Sequence, residues 1–187
     1  MNSSIRRIQC AVAAMAFGAL PVYAQQADQV VPPAAIAGTM APIDEAFALY
    51  ASSSGLAQIE GARLVMKSAQ RSEVRELAQA IARRHTQALD DLRRIVTARG
   101  FKLPATPTGR HADMVTKLSG VSASDLEDAF VHRFGVDAHK ETVGLYERHA
   151  KEGQDPALRK HALTAVVALR EHMAAAQKLV HAAGSTR

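Results

Sequence analysis

Three histidines in the middle of predicted helices are the residues most able to do chemistry in this sequence. His85, His139 and His172 have small or apolar residues one turn away on the same face, so they occupy positions where apolar residues are expected. Glu60 has a comparable place on the first predicted helix. Three imidazoles and a carboxylate can coordinate Zn²⁺, Cu²⁺ or Fe²⁺ without a thiol. These four residues are candidate metal ligands, and His132, two turns before His139, is a spare one.

The same histidines also have a purely structural interpretation. A neutral imidazole fills a small gap in an Ala-rich core and hydrogen-bonds to polar groups across the core or to buried water. No Glu-x-x-His sequence occurs in the chain, and carboxylate-bridged di-iron sites in helical bundles need that motif on two helices. We therefore expect no ferroxidase or oxygenase chemistry. The structural interpretation, with no bound cofactor, is favoured, and a single divalent transition metal is the alternative. The other histidines are predicted in the link between helices (His111) or at boundary or surface positions (His149, His161 and His181).

Four amphipathic helices of nearly equal length are predicted to position these side chains, since apolar residues recur at helical spacing. Their predicted spans are 42–69, 72–99, 124–152 and 156–183. Residue types typical of helix ends support the boundaries. They are the first-turn prolines Pro42 and Pro156, the caps Ser72 and Asp155, a capping box at 124–127, and Gly100 after the second helix.

The lengths of the links predict how the helices connect. Short links at 70–72 and 153–155 make each half of the chain an antiparallel helical hairpin. The link at 100–123 is long enough to cross the bundle and contains a short helix near 112–118. The predicted fold class is all-α, a four-helix bundle of two hairpins joined by a long crossover link, occupying residues 42–184.

The first 24 residues have the pattern of a secretory signal peptide. Arg6 and Arg7 precede an apolar run that is too short for a membrane anchor, and cleavage is expected after Ala24. Cys10, the only cysteine, lies inside this segment, so the mature chain has no thiol for disulfides or metal binding. Residues 25–41 are predicted to be a flexible leader that contributes no core residue. The expected location is the periplasm or the exterior, without a transmembrane anchor.

Charge excludes one class of partner. The chain has 23 Lys and Arg against 18 Asp and Glu, and this basic excess falls when Arg6 and Arg7 are removed. Basic and acidic residues alternate along the helices, and no aromatic residues are interleaved with the basic ones. That pattern is typical of a solvated helix face and not of a nucleic-acid surface.

Six short segments, in order and with matching gaps, resemble the bacterial family called domain of unknown function 4142. They are Gln58-Ile59-Glu60, Arg84-His85, residues 100–104, Leu118-Ser119-Gly120, His139 with Glu141, and residues 169–172. The resemblance implies an exported protein with a ferritin-like four-helix bundle, in which the crossover makes the second and third helices parallel. The family usually has Glu in place of Gln58 and Asp in place of Arg84, so two acidic groups near the histidines are missing here.

No sequence feature predicts a reaction. The chain lacks the residue patterns of a nucleophile–base pair, a phosphate-binding loop or paired catalytic carboxylates. We therefore expect a non-enzymatic envelope or periplasmic protein that binds another envelope protein or acts under stress, with the metal-binding bundle as the alternative. The sequence identifies neither the partner nor the oligomeric state.

Overall fold

Helices form all the regular structure in residues 40–185, the part of the chain that a computed structural model describes. The predicted signal peptide and most of the predicted leader lie outside these residues. The α-helices are α1 (Pro42–Met66), α2 (Ser72–Thr97), α3 (Gly109–Ser119), α4 (Leu126–Phe130), α5 (Ala138–Glu152) and α6 (Pro156–Ser185), and a π-helix (Val131–Asp137) joins α4 to α5. Residues 40–185 contain no strand, so the all-α class is confirmed. None of the described helices is long and apolar enough to cross a membrane.

Packing brings helices from both halves of the chain together. α1 packs most extensively against α2, and α5 against α6, while α2 and the π-helix also contact α6. The short α3 lies within the long link and packs against α1. These contacts surround two apolar clusters, one containing Val74, Ile81 and Phe134, the other containing Phe47 and Leu92.

One residue of the predicted leader belongs to this core. Met40 is 8% exposed and packs in the second apolar cluster. The expectation that residues 25–41 contribute no core residue is therefore wrong at its C-terminal end. Met40 lies two residues before the start of α1 and belongs to the same apolar cluster as Phe47 of that helix.

Two helix ends follow the sequence signals. Gly100 adopts a φ of +73°, a conformation that favours glycine, and the amide of Phe101 donates to the carbonyl of Val96 at 3.0 Å. At the start of α6 the Asp155 carboxylate accepts the amides of residues 157 and 158 at 2.8 and 3.0 Å. These contacts are the expected C-terminal and N-terminal caps.

Two other caps differ from the prediction. Ser72 is the first residue of α2 and does not cap it, and α4 begins at Leu126 without a side-chain cap. Glu127 instead accepts the amide and guanidinium protons of Arg71, at 3.2 and 2.5 Å, and the amide of Gln70. The acidic side chain of the predicted capping box therefore binds the start of another helix, α2, and not its own first turn.

Glycine allows the π-helix to pack closely on two sides. A Cβ atom on Gly61 of α1 would lie 2.3 Å from Cε1 of Phe134, and one on Gly135 would lie 2.5 Å from Cβ of Ala176. Both distances are far below van der Waals contact. The absence of these two side chains fixes the π-helix between α1 and α6.

Candidate metal centre

Three helices bring one imidazole each to a common point in the core. His85 comes from α2, His139 from the first turn of α5, and His172 from α6. Nε2 of His139 lies 3.4 Å from Nε2 of His85 and 3.2 Å from Nδ1 of His172. One nitrogen from each ring lies within 4.8 Å of the other two, and the three side chains are buried. The structure thus groups three of the candidate ligands.

The π-helix orients the central imidazole. Nδ1 of His139 lies 2.6 Å from the carbonyl oxygen of Phe134, five residues earlier. A carbonyl only accepts hydrogen bonds, so Nδ1 must carry the proton and Nε2 must present its lone pair to the other two histidines. A backbone carbonyl behind a metal-binding histidine is a common way of fixing its tautomer and ring orientation.

A glutamine on α1 supports the same carbonyl. Nε2 of Gln58 donates to the Phe134 oxygen at 3.2 Å, and the side chain is 1% exposed. Oε1 of Gln58 has no hydrogen-bond partner among the described residues. The first helix therefore contacts the site through Gln58, which binds the same carbonyl oxygen as His139.

Burial keeps the three imidazoles neutral. It lowers the pKa of His139 to about 4, although the hydrogen bond to Phe134 opposes the shift. The pKa of His172 also falls to about 4, mainly through burial and further through its electrostatic interactions with His139 and Arg84, which disfavour the protonated ring. Burial, with the two neighbouring imidazoles, lowers the pKa of His85 well below its usual value. All three rings therefore offer lone pairs at neutral pH.

Two of the three nitrogen separations match those expected around one metal ion. Two nitrogens bound to one tetrahedral Zn²⁺ at 2.0–2.1 Å stand about 3.3 Å apart. The two separations from Nε2 of His139, 3.4 and 3.2 Å, lie on either side of that value, and the nitrogens of His85 and His172 lie within 4.8 Å of each other. Hydrogen bonding explains the arrangement less completely, because the single lone pair of His139 Nε2 cannot serve two donors well. One cation can accept all three lone pairs.

Two further candidates lie outside this group. Glu60 is half-buried on α1 and is not among the residues whose ligand atoms converge. His132, predicted as a spare ligand on the face of His139, is exposed. The prediction for His132 assumed a continuous α-helix, and the π turn between the two residues rotates His132 off that face, by about 100° for each inserted residue.

A groove gives access to the histidines from one side. It lies between α2 and α6, has a volume of about 550 Å³, and is lined near the site by Arg84, His85, Ala88, Ala168, Leu169 and His172. His139 does not line the groove and is 0% exposed. The groove therefore reaches the group through His85 and His172 and not through His139.

Sequence reasoning missed a second set of buried histidines. His149 is 3% exposed, stacks on Phe47 at 3.8 Å between ring centroids, and places Nε2 3.4 Å from a carboxylate oxygen of Asp44. His161 is 8% exposed, and its Nε2 has no hydrogen-bond partner among the described residues. Both were expected at boundary or surface positions, an expectation that is wrong, because charged residues beside them in sequence hide the fact that each ring faces inward.

The other two histidines lie closer to expectation. His181 is exposed. His111 lies in the link, as expected, but it is part of α3 and is buried, with Nδ1 3.0 Å from the Ser53 hydroxyl oxygen.

The fold and the site together define a class of protein. It is an all-helical protein whose core encloses three converging, neutral histidines. The chain belongs to the family described as "Domain of unknown function (DUF4142)", whose pattern matches residues 29–179. Among solved structures, the chain is similar to the crystal structure of a DUF305 fragment from Deinococcus radiodurans. The two share 17% identity and a TM-score of 0.66 over 77% of this chain and 99% of that one, a likeness of fold alone. A search of curated proteins returns no match.

Proposed function

We propose that the protein binds one transition-metal ion through Nε2 of His85, Nε2 of His139 and Nδ1 of His172. The observation that carries this proposal is the geometry of the three nitrogens, in which the lone pair of His139 is fixed by its hydrogen bond to Phe134. Imidazole ligands suit zinc and copper, and divalent copper binds nitrogen sites more tightly than zinc, which binds more tightly than ferrous iron. We therefore expect Cu²⁺ and Zn²⁺ to bind more tightly than Fe²⁺.

The site favours a labile centre over a closed structural one. Three protein ligands leave one coordination position for water or another small ligand, whereas structural zinc sites use four protein ligands. Because the imidazoles are neutral, binding at neutral pH displaces no proton from them. A role in holding, delivering or sensing a metal ion follows from these properties.

Metal titration of the purified protein tests the proposal. We expect binding of one Zn²⁺ or Cu²⁺ per chain by calorimetry and elemental analysis, and a rise in thermal stability with added metal, because a ligand at about 100 times its Kd stabilises the folded state by about 2.7 kcal/mol. His139→Ala should abolish both effects. The matched control His132→Ala removes an exposed histidine from the same helical segment and should bind normally.

Chelator separates this proposal from the structural interpretation of the histidines. If His85→Ala reduces stability equally in metal and in chelator, and metal binds no more weakly, the histidines are structural. Ile81→Ala, which removes a fully buried side chain one turn away, should destabilise both forms alike.

The setting we propose for this activity is the cell envelope. The N-terminal pattern at residues 1–24 supports export and cleavage after Ala24, and the helix contacts support a ferritin-like bundle of two hairpins joined by a crossover link. N-terminal sequencing of protein recovered from the periplasm tests the export step. A mature chain that still begins at Met1 would contradict it.

A second candidate function is non-enzymatic binding of an envelope protein or a role under stress. The observation that favours it is the exposure of two large apolar side chains one turn apart on α6, Leu163 at 66% and Val167 at 60%. Cross-linking in envelope extracts should recover a partner with the wild type and lose it with Leu163→Ser and Val167→Ser together. Loss of metal tolerance on deletion, with no cross-linked partner, would favour the metal site alone.

A further inference from the structure

The lining of the groove between α2 and α6 combines three chemical features. At one end the groove is lined by His85 and His172, two of the three proposed metal ligands. Small and apolar side chains line the part beyond them, including Ala88, Ala165 and Ala168. His161 lies further along α6. At about 550 Å³, the groove has the size of a pocket for a small organic molecule.

The metal end of the groove favours an anion. Three neutral imidazoles do not compensate the charge of a divalent ion, and the group contains no carboxylate among the described residues. Arg84 lines the same end, and its positive charge is felt at His172. A carboxylate from outside the protein would supply both the missing charge and the fourth ligand.

The middle of the groove favours an apolar body. The alanines on facing sides of α2 and α6 are half-buried and leave open space where larger side chains would meet. Asp91 also lines the groove, where it is paired with Arg94 and its negative charge acts on His161. An aliphatic or aromatic chain would bury itself against these alanines and Leu169.

His161 lines the groove nearer the N-terminal end of α6. Nε2 of His161 is buried without a hydrogen-bond partner among the described residues, and the side chain is 8% exposed. Eleven residues of α6 separate His161 from His172, which corresponds to about 16 Å along the helix. The groove extends past His161 to Ala157.

We propose that the groove binds an organic carboxylate with an apolar body, its carboxylate coordinating the metal held by the three histidines. The proposal rests on the proposed function, since the metal supplies the contact for the carboxylate. Arg84 adds charge attraction at that end, and the alanine-lined walls select the apolar body.

Cobalt-loaded protein provides the test, because the visible absorption of bound Co²⁺ reports a change of ligand. Co²⁺ is first titrated into the full chain, and acetate and octanoate are then titrated into the loaded protein. Both anions should shift the spectrum. Octanoate should bind about tenfold or more tightly than acetate, because its extra methylene groups are partly buried.

Two variants separate the contributions. Ala165→Leu fills the apolar part of the groove and should reduce octanoate affinity about tenfold while acetate and Co²⁺ bind as before. The matched control is Ala174→Leu, at an exposed position of the same helix outside the groove, which should change neither affinity. Arg84→Gln should weaken both anions to a similar degree.

The possible outcomes distinguish the groove proposal from the proposed metal site on which it rests. Absence of Co²⁺ binding refutes both. Co²⁺ binding with no spectral response to either anion refutes the groove proposal and leaves the metal site standing. Equal affinities for acetate and octanoate, unchanged by Ala165→Leu, also refute the groove proposal, because the apolar walls would then contribute nothing.

Discussion

Acid should destabilise the metal-free protein through its buried histidines. The pKa of His139 is about 4 and that of His172 about 4 in the folded protein, whereas an unfolded chain titrates histidine near 6.5. Between these values the unfolded state binds protons that the folded state excludes. The free energy of unfolding must therefore fall as the pH falls from about 6.5 towards 4.

The size of this effect follows from the two pKa values. For one histidine that titrates near 6.5 unfolded and near 4 folded, the free energy of unfolding decreases by about 2 kcal/mol between pH 7 and pH 5. Replacing His139 by Asn removes one such contribution while keeping an N–H group for the Phe134 carbonyl. The variant should therefore lose about 2 kcal/mol less than the wild type over the same pH range.

Urea unfolding at pH 7, 6 and 5 in the presence of EDTA measures this difference. His132→Asn is the matched control, because it makes the same replacement at an exposed histidine outside the group. If wild type and His139→Asn lose stability in parallel, His139 does not stay neutral in the fold. The neutral three-histidine site would then be refuted together with the geometry that supports it.

Three substitutions test the packing around the site by urea or thermal unfolding. Gly61→Ala should destabilise the fold by about 1–3 kcal/mol, because the new Cβ would lie 2.3 Å from the Phe134 ring; an unchanged midpoint would show that the π-helix shifts freely. Gly144→Ala should stabilise it by about 0.5–1 kcal/mol, since nothing lies within 4 Å of its Cβ in α5; destabilisation would contradict that packing. Asp44→Ala should lower the free energy of unfolding by about 2–3 kcal/mol. The reason is the loss of two hydrogen bonds from the amides of residues 154 and 155, at 3.0 and 2.9 Å. A loss under about 0.5 kcal/mol would mean that these bonds do not hold the link between α5 and α6.

The sequence predicts the helices well because their signals are local. Apolar spacing on the second helix identifies buried residues such as Ile81 and Leu92, and the ends at Gly100 and Asp155 depend on contacts within a few residues. The convergence of His85, His139 and His172 could be anticipated for the same reason. Each lies on an apolar face, and faces of that kind meet in the core.

The remaining features depend on contacts between distant segments. Nothing in the pattern around Phe134 distinguishes a π turn from an α turn, so the exposure of His132 could not be read from helical spacing. Glu127 has the spacing of a capping residue, yet it binds Arg71, 56 residues earlier. Apolar periodicity describes a single helix, whereas the positions of these side chains depend on contacts between two separate segments.

The π-helix makes the position of His139 sensitive to the number of residues between α4 and α5. Its seven residues, Val131–Asp137, set the rotation of α5 relative to α4. Removing one residue there and closing the segment into an α-helix would turn one part against the other by about 100°. Phe134 could then keep its place beside Gly61, or His139 could keep its place beside the other two imidazoles, but not both. A deletion of one residue, with no loss of any ligand, would therefore dismantle the site.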